Sequence, residues 1–407
     1  MTSPILPNDE KNSAVGAAAA AVVRVGSAGG MFRGTDHFAI QGAVDYVARM
    51  GGGRVEIEAG EYHLRNAIIL PDGVSLLGLG DGVVLRKEAS VSSVLTKDLD
   101  WHHRRVTLAE AQHFHVGDGF FLMSERLDGG TAQQASRHTV IDRQDDVLVL
   151  DCVPEFNHWI QHRARAVSTH SLIECRGAKN VSIRHLTLDG NRADNELLDG
   201  NFGAAIYLYK CAGIEIRNLR IRDFHGDGIS WQASHDVRVE DCEVIGVTTL
   251  GLHPGSGSHR PVMRGNTTKD CETGIYWCWG VEDGLAEGNI ISDCSKHGIS
   301  IGHRDIHNAI KDNQISNCGE AGIFFRPERS PAHTAHRNLV EGNKISCPPD
   351  KPKSRGIQLC RGVEDVILRK NHISIQSSQR GKALVIPASA SRIVSESNHI
   401  NEMSPKK

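Results

Sequence analysis

Residues 273–308 read TGIYWCWGVEDGLAEGNIISDCSKHGISIGHRDIHN and contain one short pattern twice, because a glycine followed by isoleucine at Gly274 returns 24 residues later at Gly298. The pattern of glycine and an aliphatic residue continues in both directions from this stretch, at Gly228, Gly251, Gly322 and Gly356. Successive spacings are 23, 23, 24, 24 and 34 residues, and the last is longer because RPERSPAHTAH and CPPDKPKS insert loops. A fixed period of this length indicates a repeat protein with one structural unit per period.

Asparagine is a second marker with the same period. It recurs, with aspartate once in its place, at Asn218, Asp241, Asn266, Asn289, Asn313, Asn343, Asn371 and Asn398. Such residues are expected to stack, with their amides bonding along the stack while αL-tolerant asparagine forms the corner. Cys271, Cys294 and Cys318 each follow one of these asparagines by five residues. They are predicted to form an inward ladder of reduced, packed cysteines.

The segments between these markers are short, and their side chains alternate without a helical period. One coil of such strands every two dozen residues predicts a right-handed parallel β-helix, which is an all-β solenoid. A helical solenoid of similar period is the alternative, but it requires amphipathic runs of about ten residues that these repeats lack. Before the coils, TDHFAIQGAVDYVARM predicts a short helix that caps the open end of the stack through Phe38, Ile40, Val44, Val47 and Met50.

The entry into the coils resembles the pectate-lyase-like superfamily. The resemblance rests on the Thr-Asp start, the capping helix, GGGRVEIEAGEYHL and LPDGVSLLGLG, and it extends over roughly residues 30 to 400. It implies the same parallel β-helix fold. It does not imply one reaction, because that superfamily includes polysaccharide lyases, glycoside hydrolases, epimerases and phage tailspikes.

The order of segments predicts a flexible leader at residues 1–30 and one β-helix domain at 31–407, with a β-hairpin insertion at about 97–170. The alanine run of the leader is too short for a clear secretory signal, so the chain is expected to be cytoplasmic or exported with a trimmed leader. The formal net charge of -3 provides no basic stripe for nucleic acid, and no stretch is long enough to span a membrane.

Period-two alternation in each strand after the glycine defines one outward face. Aromatic, histidine and arginine side chains that suit stacking on sugars and binding hydroxyls or carboxylates are expected there. The predicted saccharide-binding residues are Tyr207, Tyr209, Gln232, His253, Arg260, Tyr276, Trp279, Arg304 and Arg326. The predicted partner is therefore a poly- or oligosaccharide.

Two carboxylates beside a glycosidic bond can act as acid and as base or nucleophile. Asp305 and Glu328 lie at nearly equivalent offsets on adjacent coils, seven and six residues after their glycines. With His303 nearby, they are the predicted hydrolytic pair, and Arg304 and Arg326 would hold one of them ionised. A salt bridge at the rim is the alternative interpretation of the same residues.

Asp227 in DGISW and His297 in HGISI resemble two parts of the polygalacturonase-type hydrolase pattern, and that resemblance implies catalytic roles for both. The pattern also requires an Asp-Asp pair on an intervening coil, whereas this chain has only Glu272 near that place.

A polysaccharide lyase is the second hypothesis, because His, Tyr and Arg side chains can remove a proton beside a uronate and neutralise its carboxylate. A non-catalytic carbohydrate-binding or tailspike-like protein is the third, and a homotrimer is left open. A calcium-assisted lyase usually has an outward acidic cluster, and no convincing one is present in the sequence, so no cofactor is expected and calcium is the alternative. His253 and His303, two coils apart, are about 10 Å from each other by strand spacing and cannot share an ion unaided.

Overall fold

The computed structural model describes residues 21–126, 134–351 and 353–403. Residues 1–20 of the predicted leader lie outside this part of the chain. The prediction is wrong for residues 21–26, which form a strand of the first coil. Within the described residues, no helix has the length and apolar character needed to cross a membrane.

The N-terminal part of the chain forms the first coils and the cap. Its elements are β1 (Ala21–Gly26), β2 (Phe32–Arg33), α1 (His37–Arg49), β3 (Gly53–Ile57), β4 (Gly60–Leu64), β5 (Ile68–Ile69), β6 (Val74–Gly78) and β7 (Val83–Lys87). The cap helix begins after Asp36, whose Oδ1 accepts a hydrogen bond from the backbone N–H of Ala39 at 3.0 Å. Ile40, Val44 and Val47 are buried as predicted, whereas Phe38 and Met50 are exposed.

An antiparallel sheet interrupts the coils between β7 and the following strands. It contains β8 (Ser92–Val94), β9 (Arg105–Thr107), β10 (Gly119–Ser124), β11 (Gln134–Gln144), β12 (Val147–Leu150) and β13 (Arg165–Val167) in the order β8-β13-β10-β11-β12-β9. Short 3-10 turns lie at Ala111–His113 and Ile160–His162. This inserted sheet has a hydrophobic core of its own, which includes Phe114, Phe120 and Leu148. It begins about five residues before the predicted position.

The remaining strands complete the coils. They are β14 (Ile173–Arg176), β15 (Ser182–Arg184), β16 (Thr187–Asp189), β17 (Ala204–Tyr209), β18 (Glu215–Arg217), β19 (Arg220–Arg222), β20 (Asp227–Gln232), β21 (Arg238–Glu240), β22 (Glu243–Ile245), β23 (Leu250–Pro254), β24 (Val262–Arg264), β25 (Thr267–Lys269), β26 (Thr273–Tyr276), β27 (Leu285–Glu287), β28 (Ile290–Ser292), β29 (His297–Ile301), β30 (Ala309–Lys311), β31 (Gln314–Ser316), β32 (Ala321–Phe325), β33 (Leu339–Glu341), β34 (Lys344–Ser346), β35 (Arg355–Gln358), β36 (Ile367–Arg369), β37 (His372–Gln376), β38 (Leu384–Val385), β39 (Val394–Glu396) and β40 (His399–Met403). Further 3-10 turns lie at Arg192–Asp194, Pro331–His333 and Ser377–Lys382.

A complete coil contributes one strand to each of three parallel sheets, so the described part of the chain is a parallel β-helix. The thirteen-stranded sheet runs from β2 to β39, the eleven-stranded sheet from β4 to β40, and the ten-stranded sheet from β5 to β38. Pairing in the ten-stranded sheet places Ile299 beside Ile275 on one side and Ile323 on the other. Equivalent residues of successive repeats therefore lie side by side, one strand spacing apart.

The repeating glycine allows two sheets to approach closely. A Cβ added at Gly298 would lie 2.4 Å from Cγ2 of Ile315 and 2.6 Å from the backbone oxygen of Gly322. The same clash recurs one coil earlier, where a Cβ at Gly274 would lie 2.4 Å from Cγ2 of Ile291. These isoleucines belong to the eleven-stranded sheet. Glycine is therefore required at these positions, where strands of the ten-stranded sheet pack closely against that sheet.

The asparagine ladder starts one residue away from its predicted register at the first two coils. Asn266 donates its backbone N–H to Oδ1 of Asn289 at 3.0 Å, and the pattern continues along the stack to Asn398. On the preceding coil, the residue whose backbone N–H donates to Oδ1 of Asn266 is Cys242, not Asp241. Asn218 and Asp241 instead have φ of 53° and 55°, in the left-handed position that Gly265 takes at the next coil. The corner thus uses two adjacent residues, one for the bend and one for the amide ladder.

The predicted cysteine ladder is confirmed. Cys271, Cys294 and Cys318 are all buried, and the Sγ atoms of the first two are 3.7 Å apart. No cysteine of the described residues forms a disulfide.

Gly298→Ala is expected to lower the free energy of unfolding by about 1 to 3 kcal/mol, because the added methyl overpacks the junction between two sheets. Gly381→Ala is the matched control, since a Cβ there meets no atom within 4 Å. Urea unfolding followed by circular dichroism measures both. Equal stability of the two variants would contradict the packing role of the repeat glycine.

Candidate active site

The ten-stranded sheet carries a column of outward side chains in register. From one strand to the next, these are Glu174, Tyr207, Ser230, His253, Tyr276, Ser300, Phe324 and Gln358. The residues that alternate with this column, including Trp231 and Trp277, are fully buried in the core, which confirms the period-two alternation. The outward face is less exposed than the alternation suggested. Ser230, Gln232, His253 and Ser300 are buried as well, because loops and other side chains cover them.

His253 is held by Asp227. Oδ1 of Asp227 accepts hydrogen bonds from the backbone N–H of Leu250, at 3.0 Å, and from the hydroxyl of Thr249. Nδ1 of His253 lies 2.7 Å from Oδ2 of the same carboxylate. When Nδ1 donates its proton to this carboxylate, Nε2 is the free nitrogen of the ring. Nε2 is buried and has no hydrogen-bond partner among the described residues.

Tyr276 and Arg326 lie beside this histidine. The Tyr276 ring meets the His253 ring edge to face, with ring centroids 5.5 Å apart. The guanidinium carbon of Arg326 lies 4.3 Å from the centroid of the Tyr276 ring. Burial raises the pKa of Tyr276, and the nearby charge of Arg326 opposes that shift.

Arg326 is fixed in place by three groups. It donates from Nη1 to Oγ of Ser300 at 2.9 Å and from Nη2 to the backbone oxygen of Trp277 at 2.7 Å. Nη2 also lies 3.6 Å from Oδ2 of Asp305. The cation therefore has one orientation and loses little entropy when it meets an anionic group.

Asp305 has a structural position that excludes direct contact with a substrate. Its carboxylate has no solvent exposure and accepts hydrogen bonds from the backbone N–H groups of Val281, at 2.9 Å, and Gly302, at 2.9 Å. Ser234 and Ser258 accept the equivalent bond at the same corner of earlier coils. The prediction of Asp305 as half of an acid and base pair is therefore wrong for this conformation, because its offset from the glycine places it inside the corner.

The surface along the column of outward side chains is called the groove below. Glu328 supports a row of stacked rings at its edge. Its Oε1 accepts the backbone N–H of His303 at 2.7 Å, and its Oε2 lies 3.1 Å from Nδ1 of the same residue. The His303 ring stacks on Trp279, with centroids 4.2 Å apart, and on His333, at 5.1 Å. Trp279 is 58% exposed, so its ring is open to a ligand. His333 lies in the inserted loop RPERSPAHTAH and was missed by the sequence analysis.

Two other predicted binding residues, Arg260 and Arg304, lie outside the groove. Arg260 forms a bidentate ion pair with Asp236, at 2.7 and 2.9 Å, on the turn that leads to the thirteen-stranded sheet. Arg304 lines a separate cavity of about 240 Å³ together with Glu282, His336 and Glu364. Both were expected in the groove because the length of the turn after each strand could not be read from the repeat.

His297 and Asp227 are separated by two strands in the register of the sheet. Three strand spacings of about 4.8 Å place them about 14 Å apart. His297 stacks on Phe324, with centroids 4.4 Å apart, and burial lowers the pKa of His297 to about 4. The two residues therefore do not form one catalytic group, contrary to the polygalacturonase-type expectation.

Tyr207 and Tyr209 form a second aromatic group at the other end of the sheet. Their rings are nearly parallel, with centroids 6.5 Å apart, and Arg176 lies 5.4 Å from the centroid of Tyr207. Gln232 on the next strand is buried and donates to Oγ of Ser230 at 3.0 Å, so it supports the sheet surface.

Among the described residues, the groups of three potential metal ligands lie in the inserted sheet and its loops, not in this groove.

Comparisons with known proteins agree with this architecture. The family model described as a right handed beta helix region matches residues 204–373. The capsule K1-specific depolymerase of Klebsiella phage K64-1 is 22% identical over 280 residues, which are 65% of this chain. The chain spans 30% of the length of that curated relative.

Two solved structures share the fold. An exopolygalacturonase from Thermotoga maritima aligns with a TM-score of 0.51 and 13% identity, over 90% of this chain and 88% of that chain. A protein described as a glycoside hydrolase aligns with a TM-score of 0.51 and 10% identity, over 95% and 97% of the two chains. These matches and the parallel coils show that the chain has the predicted right-handed parallel β-helix fold.

The buried carboxylate of Asp305 should make stability depend on pH. Burial raises the pKa of Asp305 to about 7, well above the value of 3.8 expected when it is unfolded. The folded state therefore favours the protonated form, and the resulting stability is fully present below about pH 4 and is lost as the pH rises to about 7. Asp305→Asn should remove this contribution.

The free energy of unfolding of wild type relative to Asp305→Asn is expected to fall by up to about 1.4 kcal/mol per pH unit between pH 4 and 7. Asp283→Asn, which replaces an exposed carboxylate on the preceding coil, is the matched control. Denaturant unfolding at several pH values measures the difference. A flat difference for Asp305→Asn would contradict the raised pKa.

Proposed function

We propose that this protein is a polysaccharide-cleaving enzyme that acts on an acidic chain by β-elimination at a uronate residue. The observation that carries the proposal is the fixed guanidinium of Arg326 over the ring of Tyr276, next to the Asp227–His253 pair. The name of the capsule depolymerase relative supports a polysaccharide substrate. The exposed ring of Trp279 provides a surface on which a sugar can stack.

In this reaction Arg326 binds the uronate carboxylate. Neutralising that carboxylate stabilises the negative charge that develops when the proton on the neighbouring carbon is removed. Arg326 can do this because its hydrogen bonds to Ser300 and Trp277 hold it in the groove before substrate binds. A preorganised cation loses no binding energy to its own reorientation.

Tyr276 transfers the proton in this proposal. Its side chain is part-exposed, whereas His253 behind it is buried. The phenolate removes the proton beside the carboxylate, and the phenol then returns a proton to the leaving glycosidic oxygen as the carbon–oxygen bond breaks. The products are a new reducing end and an unsaturated uronate. His253, fixed by Asp227, packs against the edge of Tyr276 and positions it.

Hydrolysis by two carboxylates has less support from the geometry. Of the predicted pair, Asp305 is enclosed by backbone amides and Glu328 is bonded to His303. A hydrolase remains the alternative outcome of the experiment. Incubation with neutral and uronate polysaccharides, followed by assays of reducing ends and of unsaturated-uronate absorbance, separates the reactions. Both signals together are expected, and reducing ends without absorbance would contradict elimination.

Tyr276→Phe is expected to lower kcat by at least about 100-fold, because loss of a general acid or base costs this much. Tyr46→Phe is the control, because it removes a phenol from the exposed side of the cap helix, outside the ten-stranded sheet. The kcat/KM of wild type should rise by up to tenfold per pH unit below the pKa of Tyr276, since the phenolate is the active form. A profile that is flat from pH 6 to 9 would contradict the role of Tyr276 as base.

Trp279→Ala is expected to raise KM by about tenfold with little change in kcat, because stacking binds substrate and transition state equally. Trp101→Ala is a matched control, since Trp101 is also 58% exposed but follows the inserted strand β8. Steady-state kinetics measure both variants on the uronate polysaccharide that wild type cleaves in the incubation experiment. An unchanged KM for Trp279→Ala would remove this ring from the binding site.

A further inference from the structure

His138, Asp151 and Cys152 converge on one point of the inserted sheet, outside the groove. His138 lies on β11, and the other two residues directly follow β12. Nδ1 of His138 lies 3.7 Å from Oδ1 of Asp151 and 3.6 Å from Sγ of Cys152, and that Sγ lies 3.6 Å from the same Oδ1. The three potential ligand atoms therefore form a nearly equilateral triangle.

The size of this triangle matches one face of a tetrahedral metal site. Zinc binds histidine nitrogen and carboxylate oxygen at about 2.0 to 2.1 Å and cysteine sulfur at about 2.3 Å, which places tetrahedral ligand atoms about 3.3 to 3.6 Å from one another. The two separations of 3.6 Å that involve Sγ lie at the upper end of that range, and the 3.7 Å between Nδ1 of His138 and Oδ1 of Asp151 is slightly longer. The separation between the histidine nitrogen and the carboxylate oxygen is too long for a hydrogen bond.

We propose that His138, Asp151 and Cys152 bind one divalent transition-metal ion, zinc being the best fit, with water as the fourth ligand. The donor set of imidazole, carboxylate and thiolate suits zinc and excludes calcium and magnesium, which prefer oxygen ligands. Three protein ligands with one open position are a common zinc arrangement. Asp151 and Cys152 are exposed, so an ion and its water can reach the site from solvent.

The residues around the triangle orient its ligands. Nε2 of His138 lies 3.0 Å from Oγ of Ser136, which lies 2.9 Å from Nε2 of His158. Nδ1 of His158 lies 3.1 Å from Oγ of Ser124, and all of these side chains are buried. When Nε2 of His138 donates into this chain, its Nδ1 is left with a lone pair for the metal. Such outer hydrogen bonds are typical of metal-binding histidines.

The carboxylate is anchored as well. Oδ1 of Asp151 accepts the backbone N–H of Thr139 at 2.9 Å, and the backbone oxygen of Asp151 accepts from Arg104 at 2.7 Å. A cysteine binds a metal ion as its thiolate, so metal binding releases the proton of a Cys152 thiol.

The test is a cobalt titration of the full-length chain after chelator treatment. Cobalt is expected to give a thiolate charge-transfer band in the near ultraviolet and visible bands of tetrahedral intensity, both reversed by zinc. Cys152→Ser should abolish the charge-transfer band and weaken binding at least tenfold, with loss of one equivalent of metal. Absence of the band in the wild type, or its persistence in Cys152→Ser, would overturn the proposal.

Two controls make the titration specific. Cys360→Ser removes a partly buried cysteine elsewhere and should leave the band unchanged. His102→Ala disrupts the exposed group of Asp100, His102 and His103, which can also bind metal, and should leave the thiolate band intact. If Cys152→Ser does not fold, as judged by circular dichroism, Asp151→Asn provides the same comparison through weaker binding. Zinc should also raise the Tm of wild type but not of the ligand variants.

Discussion

The ten-stranded and eleven-stranded sheets meet where a glycine of one faces an isoleucine of the other, and a single added carbon at Gly298 would lie 2.4 Å from the Ile315 side chain. The same close contact between glycine and isoleucine recurs on successive coils. It therefore fixes which residues of one strand are paired with those of the next strand. Because the register is constant, equivalent side chains align in columns. The asparagine and cysteine ladders are two inward columns, and the candidate active site is an outward one.

A column of polar side chains on a packed sheet carries a cost in stability. Nε2 of His253 is buried and has no hydrogen-bond partner in the described part of the chain, and the Asp305 carboxyl group has no exposure. Groups of this kind are disfavoured in a fold unless others compensate, and they are frequent at functional sites. In this chain the compensation is visible, since Asp227 fixes His253 while Asp305 accepts backbone amides and helps to orient Arg326. Asp227 and Arg326 therefore have hydrogen-bond partners in the protein before any substrate binds.

The sequence was sufficient for the repeat and the alternation, which follow from periods of about 24 and of two residues. It was also sufficient for the cap helix, which follows from the helical spacing of its apolar residues. It misplaced Asn218 and Asp241 in the ladder, because the bend residue and the ladder residue are neighbours and either can be asparagine or aspartate. It misjudged Asp305, because a similar offset from the glycine does not fix the path of a turn. The His138, Asp151 and Cys152 triangle had no spacing signal, since its members meet only when the hairpin of β11 and β12 forms.

The central claim is that an acidic sugar chain lies along the ten-stranded sheet with a uronate at Arg326. A crystal structure of the Tyr276→Phe variant with an uncleaved uronate oligosaccharide tests it most directly. We expect a sugar carboxylate within hydrogen-bond distance of the Arg326 guanidinium and a sugar ring stacked on Trp279. An oligosaccharide bound on the thirteen-stranded or eleven-stranded sheet, with Arg326 unoccupied, would contradict it.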